Sequence, residues 1–255
     1  MTTPLDDVAF LTRSANRVAV MRTLADGPHS RQELVDEAGG SRVTIARILS
    51  DFEGREWVQT RNGSYELTTQ GRLVIAGLDD LLDRLAAIDR LEPVLPWFAV
   101  DQLDVPVEAF ADADITVPTG TEPNRHHRRI GQVGATADVA RMYSQAVTGE
   151  AIAIHRTAVD EGQELELLLT PAAAESALGD EDIGTDVRAL GTAGFVGRVD
   201  ESLPVPFVAL FDECCHIGVA DDRGFPVGVV ESTDEAVVAW AERTLDRLAA
   251  AATPL

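Results

Sequence analysis

Apolar residues recur at helical spacing through Leu5–Asp26, at Val8, Leu11, Ala15, Val18, Ala19, Met21 and Leu24. This predicts one helix, stopped by Gly27-Pro28. Ser30 with Glu33 three residues on has the form of a capping box, opening a short helix over Arg31–Ala38 that buries Leu34 and Val35. Gly39-Gly40 makes a turn, and Ser41 caps a third helix running to about Glu56, with Val43, Ile45, Ile48, Leu49 and Phe52 at its apolar positions. Two short strand patterns, Trp57–Thr60 and Ser64–Leu67, flank Arg61-Asn62-Gly63, and Asn-Gly between strands is a strong hairpin signal. From Thr68 to about Asp89 a further helix carries Leu78, Leu81, Leu82, Leu85 and Ile88 as one stripe. That stripe has two uses open to it: pairing with a second copy, or packing on the remainder of its own chain.

Pro93, Pro96, Pro106, Pro118 and Pro123 break up the next stretch, which puts the domain boundary near residue 92. The second half alternates strand and helix patterns. Ala113–Val117, Glu164–Leu169, Pro206–Phe211, His216–Ala220 and Phe225–Val230 read as strands, and Asp186–Ala189 as an edge strand. Thr136–Thr148, the alanine-rich stretch after Thr170-Pro171, and Thr233–Ala252 read as helices. The fold class expected is α+β: residues 1–92 with a linker helix over about 68–90, then an α/β domain over residues 93–255.

Charge sharpens this division. The 255 residues carry a net charge of −22, every basic residue is an arginine, and no lysine occurs. Residues 1–75 hold nine arginines against ten acids, while residues 76–255 hold twelve against 33. A segment spared the acidic surface suits a polyanionic partner, double-stranded DNA above all. Acidity without lysine resembles the proteins of salt-in halophilic archaea, whose carboxylates hold water and hydrated cations in concentrated salt. No apolar run is long enough to span a membrane, and MTTPLDDVAF lacks the pattern of a signal peptide, so a cytoplasmic location is expected.

The order of elements in residues 5–75, carried by SRQELVDEAGGSRVTIARILSDFEGREWVQTRNGSYELTTQGR, resembles the archaeal and bacterial winged helix-turn-helix domains. The resemblance implies that the third helix enters the major groove. Ser41, Arg42, Thr44 and Arg47 would then face bases and phosphates, and Arg61 and Asn62 at the wing tip would lie along the backbone or minor groove. Some winged helices bind protein instead of DNA, which stays open as an alternative.

In the second half, a strand ending in Asp-Glu, a turn, a strand, and then ESTDEAVVAWA before a last helix resembles the archaeal regulators of the methanogenesis-regulator type. These are relatives of the sugar-responsive TrmB family and have a phospholipase-D-like effector domain. The likeness implies a homodimeric transcription regulator with a small-molecule effector. Phospholipase-D enzymes use His-x-Lys-x4-Asp; counted back from Asp212, those positions hold Val205 and Phe207, so no phosphodiesterase activity is expected. The cluster Arg125-His126-His127-Arg128-Arg129 is the dense basic patch of the acidic half, and suits an anionic metabolite such as a sugar phosphate, or else ion pairs with nearby acids. Cys214-Cys215-His216 offers too few ligands for a usual metal site, and Asp212 and Glu213 beside it disfavour a thiolate. Strand packing is the expected role, with redox sensing as the alternative. No metal, cofactor or catalytic set is expected.

Overall fold

A computed structural model describes residues 3–255. The chain divides into two compact units, residues 1–83 and 84–255. The first contains α1 (Pro4–Thr12), α2 (Ala15–Ala25), α3 (Arg31–Ala38), α4 (Arg42–Glu53), β1 (Val58–Arg61), β2 (Ser64–Leu67) and most of α5 (Thr69–Leu91). This is a winged helix-turn-helix.

The single helix expected over Leu5–Asp26 is two helices, because Ser14 is extended (φ −147°, ψ 123°). The break is fixed by tertiary contacts. The Arg17 guanidinium donates to the Phe10 carbonyl at 2.7 Å, satisfying an acceptor that a helix end leaves open, and stacks 3.8 Å from the Phe10 ring. Arg55 covers Phe10 as well, at 3.6 Å.

The local signals act as expected elsewhere. Ser30 and Glu33 form the reciprocal capping box, with Ser30 N–H donating to Glu33 at 2.7 Å and Glu33 N–H to Ser30 Oγ at 3.3 Å. Asn62 and Gly63 both adopt positive φ, 51° and 84°, the combination that a tight two-residue hairpin turn demands. His29 and Tyr65 exchange backbone hydrogen bonds, which ties the wing to the helices. Leu34, Ile45, Leu49, Phe52 and Trp57 pack in the core of this unit.

The second unit is built on an eight-stranded mixed sheet. Its strands are β3 (Asp114–Thr116), β4 (Val139–Ser144), β5 (Glu164–Leu169), β6 (Phe195–Arg198), β7 (Phe207–Phe211), β8 (Cys214–Ala220), β9 (Pro226–Ser232) and β10 (Thr253–Pro254), in the order β10-β6-β5-β4-β7-β8-β9-β3. The β4–β5–β6 group is parallel; the other neighbours are antiparallel. Five helices belong to it: α6 (Arg125–Gly134), α7 (Gly149–Asp160), α8 (Pro171–Gly179), α9 (Glu181–Ala193) and α10 (Glu235–Ala251). Alternate residues feed two cores. Met142, Leu167, Ala209 and Phe211 pack with α7, α8 and α9; Tyr143, Val208, Leu210 and Ile217 pack with α10 and residues 87–113.

Two expected elements are corrected here. Thr136–Thr148 is not a helix; its middle is strand β4, at the centre of the sheet between β5 and β7. Its alternation was masked by Arg141, which turns inward and is held by Glu166 at 2.9 Å and Asp246 at 2.8 Å. Asp186–Ala189 is not an edge strand but part of α9, whose N-cap Asp180 accepts from the N–H of Asp182 and Ile183. The edge belongs to β6 and β10, and Val187 and Leu190 are buried against the sheet.

Candidate functional site

The N-terminus of α4 forms the first candidate surface. Ser41 caps the helix by accepting from Thr44 N–H at 3.1 Å, and the two hydroxyls lie 3.0 Å apart. Both side chains are therefore partly committed to holding the helix start. Arg42 is exposed and reaches Gln32 Oε1 on α3 at 2.8 Å. Arg47 stands one turn further on, also exposed. At the wing tip Arg61 and Asn62 are exposed, and Arg61 has Glu66 only at 3.9 Å.

Two residues on this surface were missed in the sequence. Val43 fits the apolar pattern of the helix in sequence, yet it is 79% exposed between Arg42 and Thr44. It offers a methyl-sized apolar contact beside two polar ones, the kind that reads a thymine methyl group. Gln32, which no spacing in the sequence marks, supports Arg42 from the preceding helix. Val43 is exposed because it stands about 200° around the helix from Ile45, away from the face formed by Ile45, Ile48, Leu49 and Phe52.

The second site lies in the C-terminal unit. The basic cluster forms the start of α6, and helical periodicity separates its members. Arg125, Arg128, Arg129 and Gln132 fall at i, i+3, i+4 and i+7 and line an open polar recess beside β3. Arg128 pairs with Glu122 at 2.5 Å, and Arg129 pairs with Glu231 at 2.9 Å. His127, Ile130 and Gly131 fall on a different face, and with His126 they wall a cavity of about 170 Å³ between α6 and α7. Ser144 at the end of β4, Phe207 of β7 and Gly218 of β8 also line this cavity. Phe207, the position counted for the phospholipase-D lysine, is therefore at the cavity wall, while Val205 is buried in the core.

His126 is 4% exposed, and neither ring nitrogen has a protein partner among the described residues. Burial, reinforced by the neighbouring His127, pushes its pKa down to about 4, so the ring is neutral at pH 7. The His127 ring sits against it, with centroids 4.2 Å apart. His155 on α7 is different: its Nδ1 lies 2.9 Å from Gln163 Oε1, and Gln163 in turn donates to the carbonyls of Gly134 and Ala137. That histidine is anchored at Nδ1 through Gln163, and it too lines the cavity.

Next to the cavity, β8 and β9 hold a buried charged group. His216 Nε2 is 3.0 Å from Glu231 Oε1, and Arg129 Nε reaches both Glu231 oxygens at 2.9 and 3.0 Å. The single His216 was not separated from its cysteine neighbours in the sequence; the partner that gives it meaning is fifteen residues on, across a strand pair. Cys214 and Cys215 point to opposite sheet faces, as consecutive strand residues do. Burial pushes the Cys215 thiol up, which keeps it protonated. Among the described residues no group of histidine, cysteine and carboxylate side chains could hold a metal ion.

Comparison with known families decides what kind of chain this is. Residues 123–251, half of the chain, match the family described as the middle domain of the methanogenesis regulatory protein FilR1. The chain belongs to the FilR1 middle-domain family. Both the cavity and the Glu231 cluster lie inside that segment of this FilR1-family chain. Residues 5–90 match the family described as the HVO_A0261 N-terminal domain, which covers the whole winged helix and nearly all of α5.

Among solved structures, the FilR1-family chain is similar to TrmBL2, described as an archaeal chromatin protein, at 16% identity over 94% of each chain with a TM-score of 0.45. It is also similar to Nuc, a phospholipase D family member from Salmonella typhimurium, at 10% identity over 56% of this chain and 98% of that one, TM-score 0.43. NucT from Helicobacter pylori is similar at 10% identity over the same shares, TM-score 0.39. At these scores none of the three bears on what this chain does. No curated protein matches it in sequence. Among the described residues no helix is long and apolar enough to cross a membrane.

Proposed function

We propose that this chain is a sequence-specific, DNA-binding transcription regulator of a salt-adapted archaeon, with a C-terminal unit that senses a small molecule. The observation that carries the reading is the α4 surface. Arg42, Val43 and Arg47 stand exposed on the first two turns of α4, the helix that follows the turn of the winged helix-turn-helix. They do so in the one part of the chain that is nearly free of net charge. Arg42 and Arg47 suit guanine edges, Ser41 and Thr44 suit phosphates, and Arg61 and Asn62 suit the adjacent backbone. Membership in a family named for a regulatory protein supports the same reading.

The chain acts as a homodimer in this proposal. Leu78 is drawn into the N-terminal core, but Leu81, Leu82, Leu85 and Ile88 remain exposed along α5. A second copy would cover such a stripe, and two heads would read a palindromic site with half-sites about one helical turn apart. It is not an enzyme in this proposal, since Val205 and Phe207 supply neither a nucleophile nor a cation at the phospholipase-D positions. One further reading of the effector is favoured by a specific feature. The recess lined by Arg125, Arg128 and Arg129 is polar and open, as a sugar phosphate would need.

Fluorescence anisotropy with the promoter of the chain's own gene tests the reading, in about 2 M KCl because surface charge repulsion is then screened within about 3 Å. Specific binding over scrambled DNA, lost in Arg47→Ala, is the expected result. A folded protein that binds no DNA overturns it and favours a protein partner for α4.

A further inference from the structure

The cavity between α6 and α7 is lined by a histidine whose free nitrogen has its role set by its neighbours. Gln163 Nε2 donates to the carbonyls of Gly134 at 2.7 Å and Ala137 at 2.8 Å, which fixes the orientation of that amide. The atom 2.9 Å from His155 Nδ1 is therefore the amide oxygen, which only accepts, so Nδ1 carries the proton and Nε2 is a bare acceptor. Burial holds the His155 pKa below its ordinary value, against the pull of Gln163, so the ring is neutral at pH 7. Its plane is fixed by stacking on Phe211, with centroids 6.0 Å apart. His155 is only 6% exposed, yet it lines the cavity. Nε2 has no protein partner among the described residues, and unlike both nitrogens of His126 it is not sealed from the space. A buried acceptor without a donor is costly to leave.

The rest of the wall defines what suits that acceptor. Ile130, Ile154, Phe207 and Val219 make it largely apolar. Ser144 Oγ is engaged with the backbone of Ala146, and Thr148 Oγ1 caps α7. Glu150 stands at the exposed rim, and the arginines of α6 face the neighbouring recess instead. The Glu150 carboxylate favours a cation at the rim and opposes an anion. Glu150 and His155 are five residues apart on α7, about 7.5 Å along the helix axis, a span that one aromatic ring with a two-carbon side chain covers. At 170 Å³ the space is close to the about 150 Å³ of an apolar cavity that takes up benzene.

We propose that this cavity binds a small aromatic amine, a single ring whose hydroxyl donates to His155 Nε2 and whose ammonium group stands at the rim against Glu150. The ligand's role as an effector rests on the regulator reading above; the binding chemistry does not. His155 selects for a donor at the buried end, Glu150 selects against an anion at the open end, and the size of the cavity limits the occupant to one ring.

Calorimetric titration of the full chain in about 2 M KCl, where surface repulsion is screened, tests this with tyramine as the probe. Phenethylamine lacks its hydroxyl, 4-hydroxyphenylacetate carries a carboxylate in place of its ammonium group, and glucose 6-phosphate is the anionic sugar control. Tyramine is expected to bind in the millimolar range or tighter, and phenethylamine about tenfold more weakly, as loss of a buried hydrogen bond implies. For 4-hydroxyphenylacetate the expected loss is about threefold to fivefold, the scale of an exposed, screened charge pair, and Glu150→Gln should close that gap alone. His155→Asn keeps a donor for Gln163 and removes Nε2; it is expected to bring tyramine down to the level of phenethylamine. Ala151→Phe, on the α7 wall, fills the space and is expected to abolish binding of both amines. Circular dichroism establishes that each variant is folded, and the comparison of tyramine with phenethylamine on the wild type needs no variant. Absence of tyramine binding to the wild type overturns the proposal. So does equal affinity for tyramine and phenethylamine, tyramine binding that Ala151→Phe leaves unaltered, or either anion binding ahead of tyramine. Anisotropy on the same samples separates the two readings. DNA binding without tyramine binding sinks the cavity proposal alone, and tyramine binding without DNA binding sinks the regulator reading alone.

Discussion

His216 Nε2 lies 3.0 Å from Glu231 Oε1 with both side chains almost fully buried, and the carboxylate sits off the ring N–H axis. The contact is thus an ion pair more than an aligned hydrogen bond. Burial opposes protonation of His216, but Cys214 and Glu231 outweigh it and bring the pKa up to about 9. Burial likewise opposes ionisation of Glu231, and His216 and Arg129 outweigh it, holding that carboxyl below its ordinary value. The pair is therefore charged in the folded protein at neutral pH.

A pH dependence of stability follows from the pair. His216 has a raised folded pKa, so its contribution is complete below the unfolded value of about 6.5. It declines as pH rises from there and is gone above about 9. Glu231 acts in the opposite direction: its contribution holds above the ordinary carboxyl range and is lost as pH falls through its lowered folded pKa. Denaturant unfolding followed in the C-terminal unit should show about 3 kcal/mol less stability at pH 9.5 than at pH 6. His216→Gln should flatten that slope. A slope of equal size in the variant would show that the pair is not its source.

Removing Glu231 should cost more than removing its charge partners one at a time. Glu231→Gln leaves the buried His216, and the half-exposed Arg129, facing a neutral amide. Loss of one member of a buried pair typically costs about 3–5 kcal/mol. Calorimetry should show the C-terminal transition shifted down and the N-terminal transition unmoved. A shift below about 1 kcal/mol, the scale of an exposed pair, would mean that water reaches the site.

Gly71 tests the close approach of α5 to the wing. A Cβ there would sit 2.0 Å from the Trp57 carbonyl oxygen, a backbone atom that cannot swing aside. The same carbonyl accepts from Thr68 N–H at 2.9 Å, so moving it disturbs the junction of β1, β2 and α5. Gly71→Ala should destabilise the N-terminal unit by about 1–3 kcal/mol, the usual range for overpacking. Thermal unfolding of this variant with an unchanged first transition would contradict the packing described.

How much of this was legible in the sequence depended on the range of the forces involved. Ser30-Glu33, Ser41 and Asn62-Gly63 act within four residues, and each appears where the pattern placed it. Arg17 is the counterexample: it divides the first helix by bonding a carbonyl seven residues away, and no spacing rule announces that. Strand β4 was hidden because Arg141 faces inward, which requires Asp246 from the last helix. The basic cluster was visible, but its division was not. Only once residues 125–134 are helical do the arginines turn to one recess and the histidines to the other cavity. His216 carried no signal of its own, since Glu231 joins it only through sheet register.

The exposed stripe of α5 makes the last prediction. Leu81, Leu82, Leu85 and Ile88 are each between 36% and 48% exposed, on a helix that otherwise carries Asp79, Asp80, Asp83 and Arg84. Four adjacent apolar residues on one helix are costly to leave in water, at roughly 25 cal/mol for each Å² exposed, and molar salt increases that cost. Leu82→Glu with Leu85→Glu places charges at i and i+3 in the middle of the stripe. If a second copy covers it, light scattering in molar KCl should show the wild type as a dimer and the double variant as a folded monomer. DNA affinity should fall in the double variant, because each head would then bind its half-site without the other. A wild type that is monomeric at micromolar concentration would remove the dimer from the proposed mechanism and leave one head to read one site.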